Sequence, residues 1–230
     1  MNTIHVLTDR MNTQNSRGFL LPLILNKRNL SNWDLKIKLF TNLTDNKIYN
    51  CDVLLVSSKY YGSRWETDQD EIIAELEMFS SRISALIYCD LNDSTGLIRT
   101  EVLSYIKVYL KGQLLRDRSL YSKSFYGGRI YTDFYHTNNE VKDLRPQYSK
   151  PISSNSHLSK LNVSWNMGFA DYSTLSNGMA GIFKYIPLAN FMRTPNKFIE
   201  PSIGRRINLF CRFGCSYDRE TIAFQRKQIL

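Results

Sequence analysis

Apolar and polar positions alternate along the first hundred residues in blocks that predict strand, helix and strand in turn. Ile4, His5, Val6, Leu7 and Thr8 form a short strand, followed by a polar turn over residues 9–17. A helix begins at Ser16–Leu20, and Pro22 has to fall in its first turn or kink it. Residues 35–41 and 52–57 read as the second and third strands, the latter a continuous apolar run suited to burial on both faces. Thr67 with Asp70 has the form of a capping box, acids crowd the first turn, and Ile72, Leu76, Phe79 and Ile83 repeat along one stripe of a helix. Residues 85–90 form another buried strand, ending in the polar turn from Asp90 to Gly96. A helix over 97–104 and a strand over 106–110 complete the series. Alternation at this spacing implies right-handed crossovers and a largely parallel sheet flanked by helices, an α/β Rossmann-like fold.

Beyond residue 111 the rhythm breaks. The segment to about residue 200 is rich in Tyr, Ser, Asn and Gly; residues 137–160 read as a polar loop and 179–191 as an apolar stretch of helical character. Residues 206–213 restart a strand, 214–217 turn, and a final helix opens at Asp218 and Glu220. Two organisations fit this ending. In one, residues 1–200 are a single lobe and 201–230 the first β-α unit of a second; in the other, the last helix packs back on the first lobe.

Charge is distributed unevenly. Residues 1–100 carry 11 Lys and Arg against 12 Asp and Glu, whereas residues 101–230 carry 19 against 9. The excess implies an anionic partner such as a sugar phosphate, a nucleotide, a nucleic acid or a membrane surface, unless it is simply a solvated face. The longest apolar run, 19–25, contains Pro22 and falls far short of the roughly 20 residues that span a bilayer. No secretory signal opens the chain, and Cys51, Cys89, Cys211 and Cys215 are thinly spread, so a cytoplasmic protein with reduced thiols is expected.

In open parallel sheets ligands bind beyond the carboxyl ends of the strands. The turn after the first strand offers Asn15, Ser16 and Arg17 for sugar hydroxyls or phosphate, although Asn15 or Ser16 would equally serve as a helix cap. The turn after residue 90 offers Asp90 and Asp93 as candidate bases, with Ser94 and Thr95 beside them. Downstream, Lys111, Arg116, Arg118 and Arg129 are candidates for phosphate charge; Gly128 allows close approach of a ligand, and Tyr131 and His136 follow. Neither a P-loop nor a dinucleotide fingerprint occurs, nor a G-x-S-x-G elbow or a recognised nucleic-acid motif. Asp68-x-Asp70 matches a short metal-binding motif of sugar transferases, but at a helix start its acids serve the dipole, so neither metal nor other cofactor is expected.

The stretch from Tyr109 to Tyr121, the run from Tyr126 to His136, the turn from Asp90 to Gly96, the segment Val163-Ser164-Trp165-Asn166-Met167-Gly168 and the ending from Arg212 to Arg226 together resemble bacterial glycosyltransferase-like proteins of surface polysaccharide loci. The resemblance implies a two-lobed transferase of the GT-B type with the acceptor-side lobe first and the nucleotide-sugar lobe second. It implies transfer of a sugar from a nucleotide sugar to a glycan or lipid-linked acceptor, for which Asp90 or Asp93, by position and chemistry, is the expected base. A cytoplasmic site, peripheral at an anionic inner membrane, goes with it. The rival expectations are a sugar- or partner-binding lobe without catalysis of its own and, on the basic second half and its tyrosines alone, a nucleic-acid-binding protein.

Overall fold

The computed structural model describes residues 2–10, 13–165 and 219–228. The expected helix at 179–191, the strand at 206–213, the turn at 214–217 and the Cys211/Cys215 pair lie outside the described residues, as does Asn12.

Among the described residues six strands form one sheet: β1 (Asn2–Leu7), β2 (Leu35–Phe40), β3 (Val53–Ser57), β4 (Ala85–Asp90), β5 (Val108–Lys111) and β6 (Leu161–Val163). Their order is β2-β1-β3-β4-β5-β6, and every neighbouring pair runs parallel. The chain has an α/β Rossmann-like fold. Its strand order reverses between β1 and β3, so crossovers on the two sides of that point cover opposite faces of the sheet.

Helix α1 (Gln14–Leu25) follows β1 and α2 (Lys27–Asn32) leads into β2. After β3 come α3 (Ser58–Tyr61), α4 (Arg64–Thr67) and α5 (Gln69–Arg82). Phe19, Leu20 and Leu21 of α1 pack on Val6, Leu55 and Cys89, with Ile4, Val53, Ile87 and Leu110 around them. Successive side chains on a strand point to opposite faces, so Leu54, Val56, Leu86, Tyr88 and Tyr109 belong to the other face, and all are buried. The stripe Ile72, Leu76 and Phe79 buries α5 completely on its inner side. Both faces are apolar because both are covered.

Three expectations are corrected. Thr67 does not cap α5: it ends α4, so it lacks the extended backbone a cap needs, and Asp68 occupies the cap position without a side-chain cap bond. Residues 97–104 form only the 3-10 turn Thr100–Val102, because the Arg99 N–H donates to the Tyr109 hydroxyl and adjacent Val102 and Leu103 are both buried. The segment read as irregular contains α6 (Ile130–Asn139), α7 (Asn155–Leu158) and strand β6. The final helix is observed as α8 (Glu220–Lys227). Pro22 sits well inside α1 rather than in its first turn. It cannot donate to the Gly18 carbonyl, which therefore lacks its usual helical partner.

Contacts divide the chain into two units. The first, within residues 2–93, 99–114 and 154–165, holds the sheet and α1 to α5 and α7. The second, within residues 94–98, 115–153 and 219–228, holds α6 and α8.

Phe79 has no exposed surface. Phe79→Ala is expected to lower stability by about 3–5 kcal/mol, the transfer cost plus the cavity left behind. Urea unfolding followed by circular dichroism measures it, and a loss under about 1 kcal/mol would mean that α5 does not pack as described.

Candidate functional site

Parallel register sets the centre of the site. Asp90 closes β4 and lies directly opposite Lys111, the last residue of β5. Both side chains are almost wholly buried, and Lys111 Nζ lies 2.5 Å from Asp90 Oδ2. The Tyr109 hydroxyl donates to the same oxygen at 2.6 Å and accepts from the Arg99 N–H. The other oxygen, Oδ1, accepts from the Asn92 backbone N–H at 3.0 Å and from its side-chain amide at 2.9 Å. This carboxylate has partners at both oxygens. A buried ion pair persists only where such extra bonds satisfy its remaining capacity.

The turn after β4 is pinned by every element around it. Lys111 Nζ also donates to the Asn92 carbonyl, and the Leu91 N–H donates to Ser58 Oγ. Lys59 Nζ reaches the Asn92 side-chain oxygen at 2.8 Å. From α1, the Asn15 amide donates to the Leu91 carbonyl at 2.7 Å and to Asp93 Oδ1 at 2.8 Å. Asn15 is free for this because the cap of α1 is Thr13, which accepts from the Ser16 N–H; neither expected cap residue fills that role.

Between these parts lies a cleft of about 230 Å³ lined by Asn15, Gly18, Phe19, residues 90–93, Gly112, Gln113, Ser164 and Trp165. Trp165 is fixed there by stacking on Phe19, with centroids 4.9 Å apart, and by donating its indole N–H to the Phe19 carbonyl. The Ser164 N–H bonds the Lys111 carbonyl, extending the sheet's hydrogen bonding one residue past β6. The buried Ser164 hydroxyl has no partner among the described residues. Among the described residues no Lys or Arg lines the cleft. Asp93 is exposed, with one oxygen bonded to Asn15. The cleft can therefore accept and donate hydrogen bonds to a small polyol, offer an aromatic wall and present one carboxylate.

Expected site residues fare differently. Asn15, Asp90 and Asp93 come together, joined by Lys111. Ser16 does not reach the cleft: it has no exposed surface and bonds Thr13 Oγ1. Arg17 Nε turns back to the Thr13 carbonyl. Lys111 is committed to Asp90, which removes it as a direct phosphate contact.

The remaining candidates belong to the second unit. Arg129 donates to Tyr131 Oη at 2.7 Å and lies near Ser94 Oγ at 3.4 Å. The Thr95 carbonyl accepts from the Tyr121 hydroxyl. Arg118 bonds the Leu115 carbonyl, while Arg116 is exposed. His136 stacks on Tyr126 at 3.8 Å and bonds the Val141 carbonyl. The close approach that Gly128 permits is taken by Leu97: with φ at +69°, a Cβ there would lie 2.3 Å from Leu97 Cδ2. Among the described residues no group of three or more His, Cys, Asp or Glu gathers that could hold a metal ion, and no helix is long and apolar enough to cross a membrane.

Sequence reasoning did not single out Gly18, Phe19, Asn92 or Gln113. Pro22 four residues after Gly18 was the available signal for an opened helix there. Compared with protein-family models, curated proteins and solved structures, the chain matches none of them.

Burial, with the Asp90 carboxylate beside it, holds the Tyr109 hydroxyl well above the ordinary tyrosine value; burial does the same for Tyr88 and Tyr61. Above about pH 10 the unfolded chain releases these protons while the folded chain keeps them, so stability declines as pH rises further. The urea midpoint should hold up to about pH 9 and fall above pH 10, less steeply in Tyr88→Phe; equal slopes would contradict this. Lys111→Met should cost about 3–5 kcal/mol by leaving Asp90 buried without its counter-charge. Asp90→Leu combined with Lys111→Met should recover part of that loss in the same unfolding experiment.

Proposed function

We propose that the chain is the sugar-handling, acceptor-side lobe of a glycosyltransferase-like protein of cell-envelope polysaccharide assembly, and that the cleft beyond the strand ends holds a sugar of the glycan acceptor. The observation that carries this reading is the pairing of Asn15 with Asp93 beside the Trp165 wall in a cleft of about 230 Å³. Pockets for drug-sized ligands run to about 300–1,000 Å³, so this one suits a single ring rather than a whole nucleotide sugar. Aromatic wall, amides and carboxylate match the apolar face and hydroxyl edge of a sugar.

Of the two candidate bases, Asp93 has the exposure to take a proton from an acceptor hydroxyl. Asp90, with both oxygens engaged, positions the turn that carries Asp93. Transfer would join the acceptor oxygen to the anomeric carbon of the donor sugar, with the nucleoside phosphate leaving. One observation favours the second reading, binding without turnover: among the described residues no cation lines the cleft to neutralise a leaving diphosphate.

Isothermal calorimetry of the full chain against methyl glycosides, oligosaccharides, lipid-linked acceptors and nucleotide sugars tests both readings. Sugar binding is expected, weakened about tenfold or more by Asp93→Ala, since a hydrogen bond to a charged group contributes about 1.5–3 kcal/mol. Turnover with a nucleotide sugar separates the transferase from the binding lobe. Silence across all four panels from folded protein would reject both.

A further inference from the structure

Beyond the carboxyl ends of β4, β5 and β6, which are neighbours in the sheet, one position carries no side chain. The register pairs Cys89 with Leu110 and Leu110 with Asn162, and side chains at paired positions share a face. Cys89 and Leu110 belong to the core on which α1 packs. Two residues further along lie Leu91, Gly112 and Ser164, which the alternation of side chains returns to that same face. Leu91 does pack on this core, and the bond from the Ser164 N–H to the Lys111 carbonyl carries the pairing of β5 with β6 up to this level. All three residues line the cleft. The row is one of its walls, and the middle of the wall is open.

Glycine at such a place has two usual structural reasons: a left-handed backbone, or an approach too close for a Cβ. Gly112 has neither. Its φ lies outside the left-handed region, and a Cβ built on it meets no described atom within 4 Å. Glycine also loses more conformational freedom on folding than any other residue, and no packing at this position offsets that. What the missing side chain leaves is room.

Beside that room stands a hydroxyl that nothing holds. Ser164 Oγ is buried and has no partner among the described residues, and a buried hydroxyl left unpaired is destabilising. Turning it towards the cleft about χ1 breaks no hydrogen bond. Space at Gly112 and an unpaired group at Ser164 are separate observations, and a ligand hydroxyl answers both.

We propose that Gly112 and Ser164 determine which sugar the cleft accepts: a ring hydroxyl enters the room left at Gly112 and hydrogen-bonds Ser164 Oγ. This rests on the sugar reading of the cleft and deepens it to a substrate class, glycosides with a free hydroxyl at one particular ring position. The analogue lacking that hydroxyl is rejected, because Ser164 then stays unpaired.

Calorimetry of the full chain with methyl glucosides, galactosides and mannosides, and with the monodeoxy analogue at each ring position, tests this. Gly112→Leu should weaken binding about tenfold or more by filling the room. Ser164→Ala should weaken it about threefold to tenfold, the contribution of one neutral hydrogen bond. Removing one ring hydroxyl should cost the same factor with wild type and nothing further with Ser164→Ala. Urea unfolding separates this role from a structural one: Ser164→Ala should be as stable as wild type or more so, since it removes an unpaired buried group. Gly112→Leu should keep the wild-type circular dichroism, because backbone and surroundings both admit a side chain. Wild-type binding that both variants retain in full overturns the inference and leaves the sugar reading standing. Loss of stability in Ser164→Ala overturns it too, since the hydroxyl would then already serve the fold. Silence of folded wild type towards every glycoside removes the reading and the inference together.

Discussion

A carboxylate and an ammonium group, both taken out of water at the ends of neighbouring strands, organise the first unit's working edge. Asp90 and Lys111 face each other because β4 and β5 are parallel and in register. Removing two charges from water costs several kcal/mol each, and their attraction offsets this only with good geometry and further hydrogen bonds. The chain supplies those bonds from Tyr109 and Asn92. In doing so it fixes the direction of the turn that leaves β4. An apolar pair at these positions would hold the strands together as well, but would leave the turn without its central acceptor.

From that point order spreads outward through short links. Asn92 is held by Lys59 and Lys111, Leu91 by Ser58, and Asn15 spans from α1 to the Leu91 carbonyl and to Asp93. The side chains exposed on the turn, Asn92 and Asp93, are thus fixed by groups that are themselves packed. Such support is what lets a small cleft present hydrogen-bonding groups in a set geometry, with little ordering left for a ligand to impose.

The sheet was legible because burial on both faces leaves a strong mark. Runs such as Leu54-Leu55-Val56 and Leu86-Ile87-Tyr88 admit few alternatives, and their alternation with helices gave the parallel direction of β1 to β5, though not their order. Strand β6 left no such mark: only Leu161 of its three residues is buried. Helix α6 fully buries only Thr132, and its place depends on contacts remote in sequence, such as Tyr135 against Phe224. The turn at Asp90 was legible as a candidate site by position. Its partners were not, because the link to Lys111 is a property of register and the link to Asn15 a property of how α1 lies on the sheet. Local pattern carries neither.

The same limit explains why a list of basic residues misleads about phosphate. Lys111 and Arg129 look equivalent in sequence, yet one is buried against a carboxylate and the other is bonded to Tyr131. What a cation can do for a ligand depends on what already holds it. A buried lysine paired with a carboxylate contributes little net field to the cleft, whereas Asp93 presents its carboxyl group at the surface. The pairing of Asp90 with Lys111 cancels both charges at that edge, so the chain's formal +9 is no guide to the field there. Net charge describes what the surface as a whole attracts; the pairing of individual groups decides what the cleft admits.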